Sequence, residues 1–390
     1  MRVCVVRCHY LRNSRVKREI DALVLAGHEV DVVCLKEPGK PAVERGPGLT
    51  IRRVPLRHDT GAGIVRLLFE YGLFFLLATA IVAALHARRR FDVVQVNSVP
   101  DALVFVALLP KLTGARVLLD VQEPMPEFFA TRFGPGRKRP LVRLIAALER
   151  WSIRFADATI TVTEPMRRTF VARGASAHKL TVVMDGADER VFDPDRFPRA
   201  ERDPNRFVLI SHCTIEPQYG LDTAIEAVAL LAEEIPGLCL RIFGTGSQRA
   251  ELRALAEHLG VADHVWFSEG FVPLDQLVAE LAAADVGVVA MKRDPFRDLT
   301  LAGKMFDFIA LGTPMVVSIT TSVEETFGDG CFEPFESGNA QDLARALRRL
   351  HDEPELAHKY AQRASEVVRP LSWPVQRQRY LDVVAALGRS

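Results

Sequence analysis

The stretch Asp298–Val317, DLTLAGKMFDFIALGTPMVV, decides how this chain is read. Met305, Phe306, Ile309 and Ala310 recur at helical spacing, which predicts a helix starting near Gly303. Gly312 stops it, and Pro314 opens MVVS, an apolar run that reads as a strand. Gly303 and Lys304 then stand at a helix start. The first N–H groups of a helix have no partner within it and lie at the positive end of its dipole, so they suit a phosphate. Lys304 adds a full charge. One turn in, Asp307 can accept hydrogen bonds from ribose hydroxyls. This is the layout expected of a nucleotide-diphosphate site. The competing reading is an ordinary loop-helix-strand unit with Asp298 in solvent.

On either side, strands and helices alternate. VCVVRC opens the chain as a buried strand, Ser14 to Leu25 reads as an amphipathic helix, and EVDVVCL follows the Gly27-His28 turn. DVVQVNS (92–98), ARVLLDV (115–121), ATITVT (158–163) and LTVVMD (180–185) continue the series. The pattern breaks at Phe192 to Arg206, where proline and charge cluster as in an interdomain linker. A second series follows: RFVLISH (206–212), LCLRIFG (238–244), VWFSEG (265–270), VGVVAM (286–291) and MVVSI (315–319). Alternation at this spacing predicts an α/β fold, with two doubly wound parallel-sheet halves and a cleft. No GxGxxG follows the first strand, so a nicotinamide-type fingerprint is absent.

Composition sets the outer bounds. The 390 residues are 48% hydrophobic and 25% charged, enough for two packed domains of a globular protein. A formal net charge of +1 gives no overall field for nucleic acid. The six cysteines, at 4, 8, 34, 213, 239 and 331, form no Cys-x-x-Cys and lie mostly in apolar runs. They read as buried thiols of a reducing compartment. MRVCVV is too short for a signal peptide's apolar region, so a cytoplasmic protein is expected. Tyr71 to Leu85, YGLFFLLATAIVAAL, is uncharged but shorter than the roughly 20 residues of a membrane span, and a buried helix is the favoured reading. Shallow insertion at a bilayer surface stays open. Arg88–Arg90 and Arg137-Lys138-Arg139 with Arg143 are basic clusters, either solvated faces or a peripheral contact with anionic lipid on the inner face of the membrane.

Nearly the whole chain resembles the family-4 retaining glycosyltransferases of the GT-B fold, most specifically in the second half. The resemblance implies two Rossmann-like domains facing a cleft. An acceptor-side domain would span 1–195, a nucleotide-sugar domain 205–371, and a last helix within 372–390 would cross back to the first. The family's donor site carries Glu-x7-Glu across the loop and helix of Asp298–Val317. There the second acid holds ribose and the first contacts the donor sugar. Asp307 matches the second. The first falls on Leu299, with Asp298 one residue out of register.

In ISHCTIEPQYG (210–220) the family's diphosphate-binding Arg and Lys fall on Thr214 and Tyr219, just before Gly220. Lys304 becomes the leading cation, with Arg293 or Arg297 behind it. RIFGTGSQRAEL (241–252) puts Gly244 and Gly246 at a strand end, where small residues let a ligand approach. WFSEGFVPLDQL (266–277) resembles the base-recognising segment, which implies backbone contacts from Gly270, Phe271 and Val272. In LLDVQEPMPEFF (118–129) the family's His-Asp becomes Gln122-Glu123. Gln122 would then lie beside the reacting sugar, unable to act as a base. Glu123 and Glu127 are the acids on the acceptor side, and His9, Arg12, Asn13 and Arg15 could line the acceptor cleft.

The implied activity moves a sugar, with retention, from a nucleotide-diphospho donor to a lipid-linked or small-molecule acceptor. The diphosphate would rest on the N–H groups of Ala302, Gly303 and Lys304. No Asp-x-Asp metal motif stands out, so no metal and no other cofactor is expected to be required. A non-catalytic nucleotide-sugar-binding partner subunit and a GT-B-like nucleotide-sugar epimerase remain alternatives, because Gln122, Thr214, Tyr219 and Leu299 all depart from the family pattern.

Overall fold

A computed structural model describes residues 1–8, 14–37, 39–56, 64–133, 139–199, 203–270 and 272–389. His9, Arg12, Asn13, Phe271, Arg137 and Lys138 lie outside the described residues. The chain forms two compact units, Met1–Met184 with Pro374–Ser390, and Asp185–Trp373. The proline-rich stretch Phe192 to Arg206 therefore belongs to the second unit.

The first unit runs β1 (Arg2–Val6), α1 (Ser14–Leu25), β2 (Glu29–Leu35), β3 (Val43–Gly46), β4 (Leu49–Val54), α2 (Ile64–Arg89), β5 (Val93–Asn97), α3 (Leu108–Leu112), β6 (Arg116–Val121), α4 (Met125–Phe133), α5 (Arg139–Phe155), β7 (Ala158–Thr161), α6 (Glu164–Ala172) and β8 (Leu180–Val182). Its sheet has the order β3-β4-β2-β1-β5-β6-β7-β8. All pairs are parallel except the β3–β4 hairpin at one edge. That hairpin has no counterpart in the sequence reading. VERG is mostly polar and lies on the surface along its length, so it carries little of the apolar signal by which the other strands are recognised.

Helix α2 departs from expectation. It is 26 residues long, and among its described side chains the inward stripe of Phe74, Ala78 and Val82 is fully buried. Phe75 and Ile81 are half-buried, while Phe69 and Leu76 are 68% and 64% exposed. The stretch Phe69–Arg89 is long and apolar enough to cross a membrane by length and composition, and 28% of it is buried.

The second unit runs β9 (Phe207–His212), α7 (Leu221–Leu231), β10 (Leu238–Phe243), α8 (Arg249–His258), β11 (Val265–Phe267), α9 (Leu274–Ala283), β12 (Val286–Val289), α10 (Gly303–Ala310), β13 (Met315–Ser318), α11 (Thr321–Phe327), β14 (Glu333–Phe335), α12 (Ala340–Asp352) and α13 (Pro354–Val368). Its six parallel strands have the order β11-β10-β9-β12-β13-β14. Strand order reverses between β9 and β12, so the carboxyl ends of these two strands frame the crevice where such sheets bind ligands. The corresponding reversal in the first unit lies between β1 and β5. Helix α14 (Trp373–Gly388) returns to the first unit from Pro374 onward. There Tyr380 is fully buried and donates to Gln95 Oε1 at 2.5 Å.

Candidate functional site

At the carboxyl end of β9, Ser211 and His212 face the start of α10. Ala302 occupies the N-cap of α10 and offers no side-chain oxygen, so no side chain caps the first-turn N–H groups. Lys304 is only 7% exposed. Its Nζ donates to Ser211 Oγ at 3.1 Å, and Ser211 Oγ in turn donates to the Val288 carbonyl at 3.0 Å. The lysine ammonium lies 5.2 Å from the centre of the Tyr219 ring, and the Arg297 guanidinium lies 5.8 Å from the same centre. Tyr219 thus sits where a cationic side chain was expected and gathers two cations by its ring face. Thr214 is exposed in the adjacent turn. Gly220 is left-handed at φ 62°, and a Cβ there would come within 1.8 Å of the Ala290 carbonyl oxygen. The turn before α7 therefore needs glycine for backbone reasons.

Asp307 Oδ2 meets His212 Nε2 at 3.0 Å. Nδ1 of His212 is buried with no hydrogen-bond partner among the described residues, and the ring packs edge-on against Phe308 at 5.3 Å. With Nδ1 bare, the tautomer that donates from Nε2 to Asp307 satisfies this geometry. His212 was missed in the sequence. Its position at the very end of the strand beside the chain reversal is the signal that could have found it. Asp298 is committed locally. It pairs with Arg293 at 2.9 Å and accepts from the Thr321 N–H at 3.0 Å, so its carboxylate holds the loop to the start of α11. Leu299 brings no acid.

Gly244 and Gly246 have a different cause from the one expected. A Cβ on Gly244 would come within 1.9 Å of the Cys213 carbonyl oxygen, and one on Gly246 within 2.1 Å of that of Ile215. The close approach is between the protein's own loops. Ser268 Oγ accepts from the Gly244 N–H at 3.1 Å and donates to the Gly270 carbonyl at 3.2 Å, tying the glycine loop to the segment before Val272. Trp266, Phe267, Val272, Pro273 and Gln276 line an open pocket beside that segment.

At the carboxyl edge of the first unit, Gln122 Nε2 donates to Asp120 Oδ2 at 2.5 Å. Arg15 was expected on the acceptor cleft but is 2% exposed. It pairs with Glu19 at 3.0 Å and Asp120 at 3.4 Å, and donates to the Val183 carbonyl at 2.8 Å. A long cation one residue into a helix is drawn inward here because two buried carboxylates await it. Burial, and then the charge of Asp120, push Glu19 up to about 8 against the pull of Arg15. Glu127 is held by Arg173, which also bonds Glu149 at 2.9 Å. Cys4, Cys8, Cys34 and Cys331 are buried free thiols, and burial pushes Cys8 and Cys34 up to about 12.

Comparison with known proteins agrees with both halves. Residues 13–186 match the model of the glycosyl transferase 4-like domain, and residues 193–367 that of the glycosyl transferases group 1. A 2-deoxystreptamine glucosyltransferase of Streptomyces kanamyceticus is 28% identical over 364 residues, 87% of this chain and 89% of its own length. A GDP-mannose-dependent alpha-(1-6)-phosphatidylinositol monomannoside mannosyltransferase of Mycobacterium tuberculosis is 32% identical over 177 residues, 44% of this chain and 46% of its own. Among solved structures, the sucrose-phosphate synthase of Thermosynechococcus elongatus superposes with a TM-score of 0.77 at 20% identity, over 99% of both chains.

Proposed function

Because the chain belongs to the family-4-like glycosyltransferases of the GT-B fold, we propose that it moves a sugar from a nucleotide-diphospho donor to an acceptor hydroxyl with retention of configuration. The observation that carries this is Lys304. It is buried at an uncapped helix start, anchored on Ser211 and set over Tyr219, at the point where strand order reverses. In this reading the bond from the anomeric carbon to the β-phosphate oxygen breaks, and one to the acceptor oxygen forms. The acceptor hydroxyl passes its proton to the departing β-phosphate oxygen, and charge develops on that diphosphate as its bond to carbon breaks. The N–H groups of Ala302, Gly303 and Lys304, with the Lys304 ammonium and Arg297, stabilise that charge as it develops. Asp307, oriented by His212, takes the ribose hydroxyls. Gly270 and Val272 meet the base, and Gln122 lies on the acceptor side with Glu123 and Glu127. Asp298 keeps the donor loop in place.

The cations supply the charge, so no metal is required. Among the described residues no three or more of His, Cys, Asp and Glu are grouped to hold one. Retained turnover after chelation would agree with this, and full loss restored by a divalent ion would overturn it. The GDP-mannose dependence of the mycobacterial relative supports a nucleotide-sugar donor, and the two relatives divide the acceptors between a lipid and a small aminocyclitol. Peripheral contact of a cytoplasmic protein with anionic lipid is part of the same proposal. The apolar outer stripe of α2 and the exposed Arg88 and Arg90 support it. The test of the central reading is a thermal-shift and turnover screen of UDP, GDP, ADP and dTDP sugars. One nucleotide should raise the melting temperature, and its sugar should reach an added acceptor. No response to any of them would reject a donor site, and a donor product of unchanged mass would indicate the epimerase.

A further inference from the structure

Among the described residues, the buried Lys304 ammonium has no anion to meet it. Its partners there are the Ser211 hydroxyl, at 3.1 Å, and the Tyr219 ring, whose centre lies 5.2 Å away. The acids of the surrounding loops and helix starts are engaged elsewhere: Asp307 by His212 at 3.0 Å, Asp298 by Arg293 at 2.9 Å, and Asp222 by Lys292. A buried charge is costly unless something replaces the water it has lost. The Arg297 guanidinium lies 5.8 Å from the centre of the same ring and 4.7 Å from that of Phe296. Tyr219 itself is firmly mounted. It closes the turn Pro217–Tyr219 with its N–H on the Glu216 carbonyl at 3.0 Å. The Lys292 N–H, bonded to the Gln218 carbonyl at 3.0 Å, ties that turn to the segment after β12.

A carboxylate in place of the ring would hold both cations more tightly, and would then repel a diphosphate arriving beside them. An aromatic ring attracts cations through its quadrupole and carries no net charge to oppose the anion. We propose that Tyr219 is a positioning residue of the donor site, whose ring keeps the Lys304 and Arg297 cations gathered beside the start of α10 in the empty protein. The cations then need not be collected when the donor arrives, which is the advantage of preorganised charge. The ring is the working part of the side chain and the hydroxyl is not. This rests on the reading of the crevice as a nucleotide-diphosphate site, and adds the residue that readies it.

The test is calorimetry on the full chain with inorganic pyrophosphate, which asks nothing of the base, and with UDP, GDP, ADP and dTDP. Tyr219→Leu should weaken pyrophosphate and the best-bound nucleotide about tenfold, the scale of losing a desolvated cation–π contact. Tyr219→Phe keeps the ring and should recover most of that loss. In a Lys304→Met background the cost of Tyr219→Leu should shrink to about threefold, because one of the two gathered cations is gone. Melting curves report whether each variant is folded, and Tyr219→Met replaces Tyr219→Leu should the latter not fold. Binding by the ring-less variant within about threefold of wild type overturns the proposal. So does a Phe variant as weak as the Leu variant, which would make the hydroxyl the working group. A loss still about tenfold in the Lys304→Met background also overturns it, since the ring would then touch the ligand itself. Failure of the wild-type protein to bind pyrophosphate or any of the nucleotides is a different result: it removes the diphosphate site, and the role of Tyr219 with it.

Discussion

Lys304 illustrates how one side chain acquires two duties. Its stem is buried and its ammonium is fixed by Ser211 and the Tyr219 ring. Lys304→Ala should therefore lower turnover about a hundredfold, the scale of losing one electrostatic donor at a leaving group. It should also cost about 1–2 kcal/mol of stability, through the lost bond and the emptied stem. Activity within threefold of wild type, measured on folded protein, would refute the role. Asp307→Asn keeps an oxygen facing His212, so the fold should hold while KM for the donor rises more than kcat falls. A kcat loss with KM unchanged would show that Asp307 acts in the transition state instead. The helix start at Gly303 was legible because apolar spacing and a terminating glycine mark it. The burial of Lys304 was not, since it depends on Ser211 and Tyr219, far away in sequence. The same holds for Arg15, whose partner Asp120 is 105 residues distant.

Among the elements, α2 carries the next test. Its inner stripe meets the sheet's core, and its outer stripe continues apolar through Phe69, Leu76 and Leu77 to Arg88. Arg89 is engaged by Asp31 at 2.8 Å, which leaves Arg88 and Arg90 as the exposed charges of the cluster. A helix with one apolar face in the core and another in water fits contact with a lipid surface. The protein should sediment with anionic vesicles at low salt and be released as salt screens the attraction beyond about 10 Å at 0.1 M. Leu76→Asp should abolish sedimentation while leaving the buried stripe intact. Unchanged partition between wild type and that variant would exclude α2 as the contact. The sequence suggested a helix here because a charge-free run is unmistakable. Which of its faces is covered depends on the neighbouring strands, and a run apolar all round carries no mark of them. The β3–β4 hairpin escaped for the opposite reason: its outer strand has no apolar signal to read.

Across the whole molecule, the chain closes its first unit only with its last helix. Met184 N donates to Gln376 Oε1 at 2.9 Å, and Tyr380 reaches Gln95, which in turn donates to Glu19 at 2.8 Å. Asn97 joins Glu19 and Asp120, and Arg15 bridges the same two acids. Two buried carboxylates share one arginine, so one proton is retained near neutrality. An acid whose folded pKa is raised binds more protons folded than unfolded between the two values. Its stabilising effect is complete below the unfolded value, near pH 4.5, and is lost as pH climbs through the folded one. Glu19, raised to about 8, and Glu149, raised to about 7, both act in this window. At Asp342 burial pushes upward, but Arg345 and the Glu336 N–H outweigh it, so its effect falls only at lower pH, outside this window. His28 and His86, lowered by burial, work the other way at and below the ordinary histidine range, so the urea midpoint of the first unit should decline from about pH 6.5 to pH 8.5. Truncation before Pro374 should abolish folding of that unit, because it removes Tyr380 and Gln376 from the polar core. In Glu19→Gln the decline should be shallower, since one of the two titrating acids is gone. A wild-type midpoint that rises with pH over that range would mean that Arg15 holds both carboxylates ionised, and the shared-proton account of the first unit's core would fall.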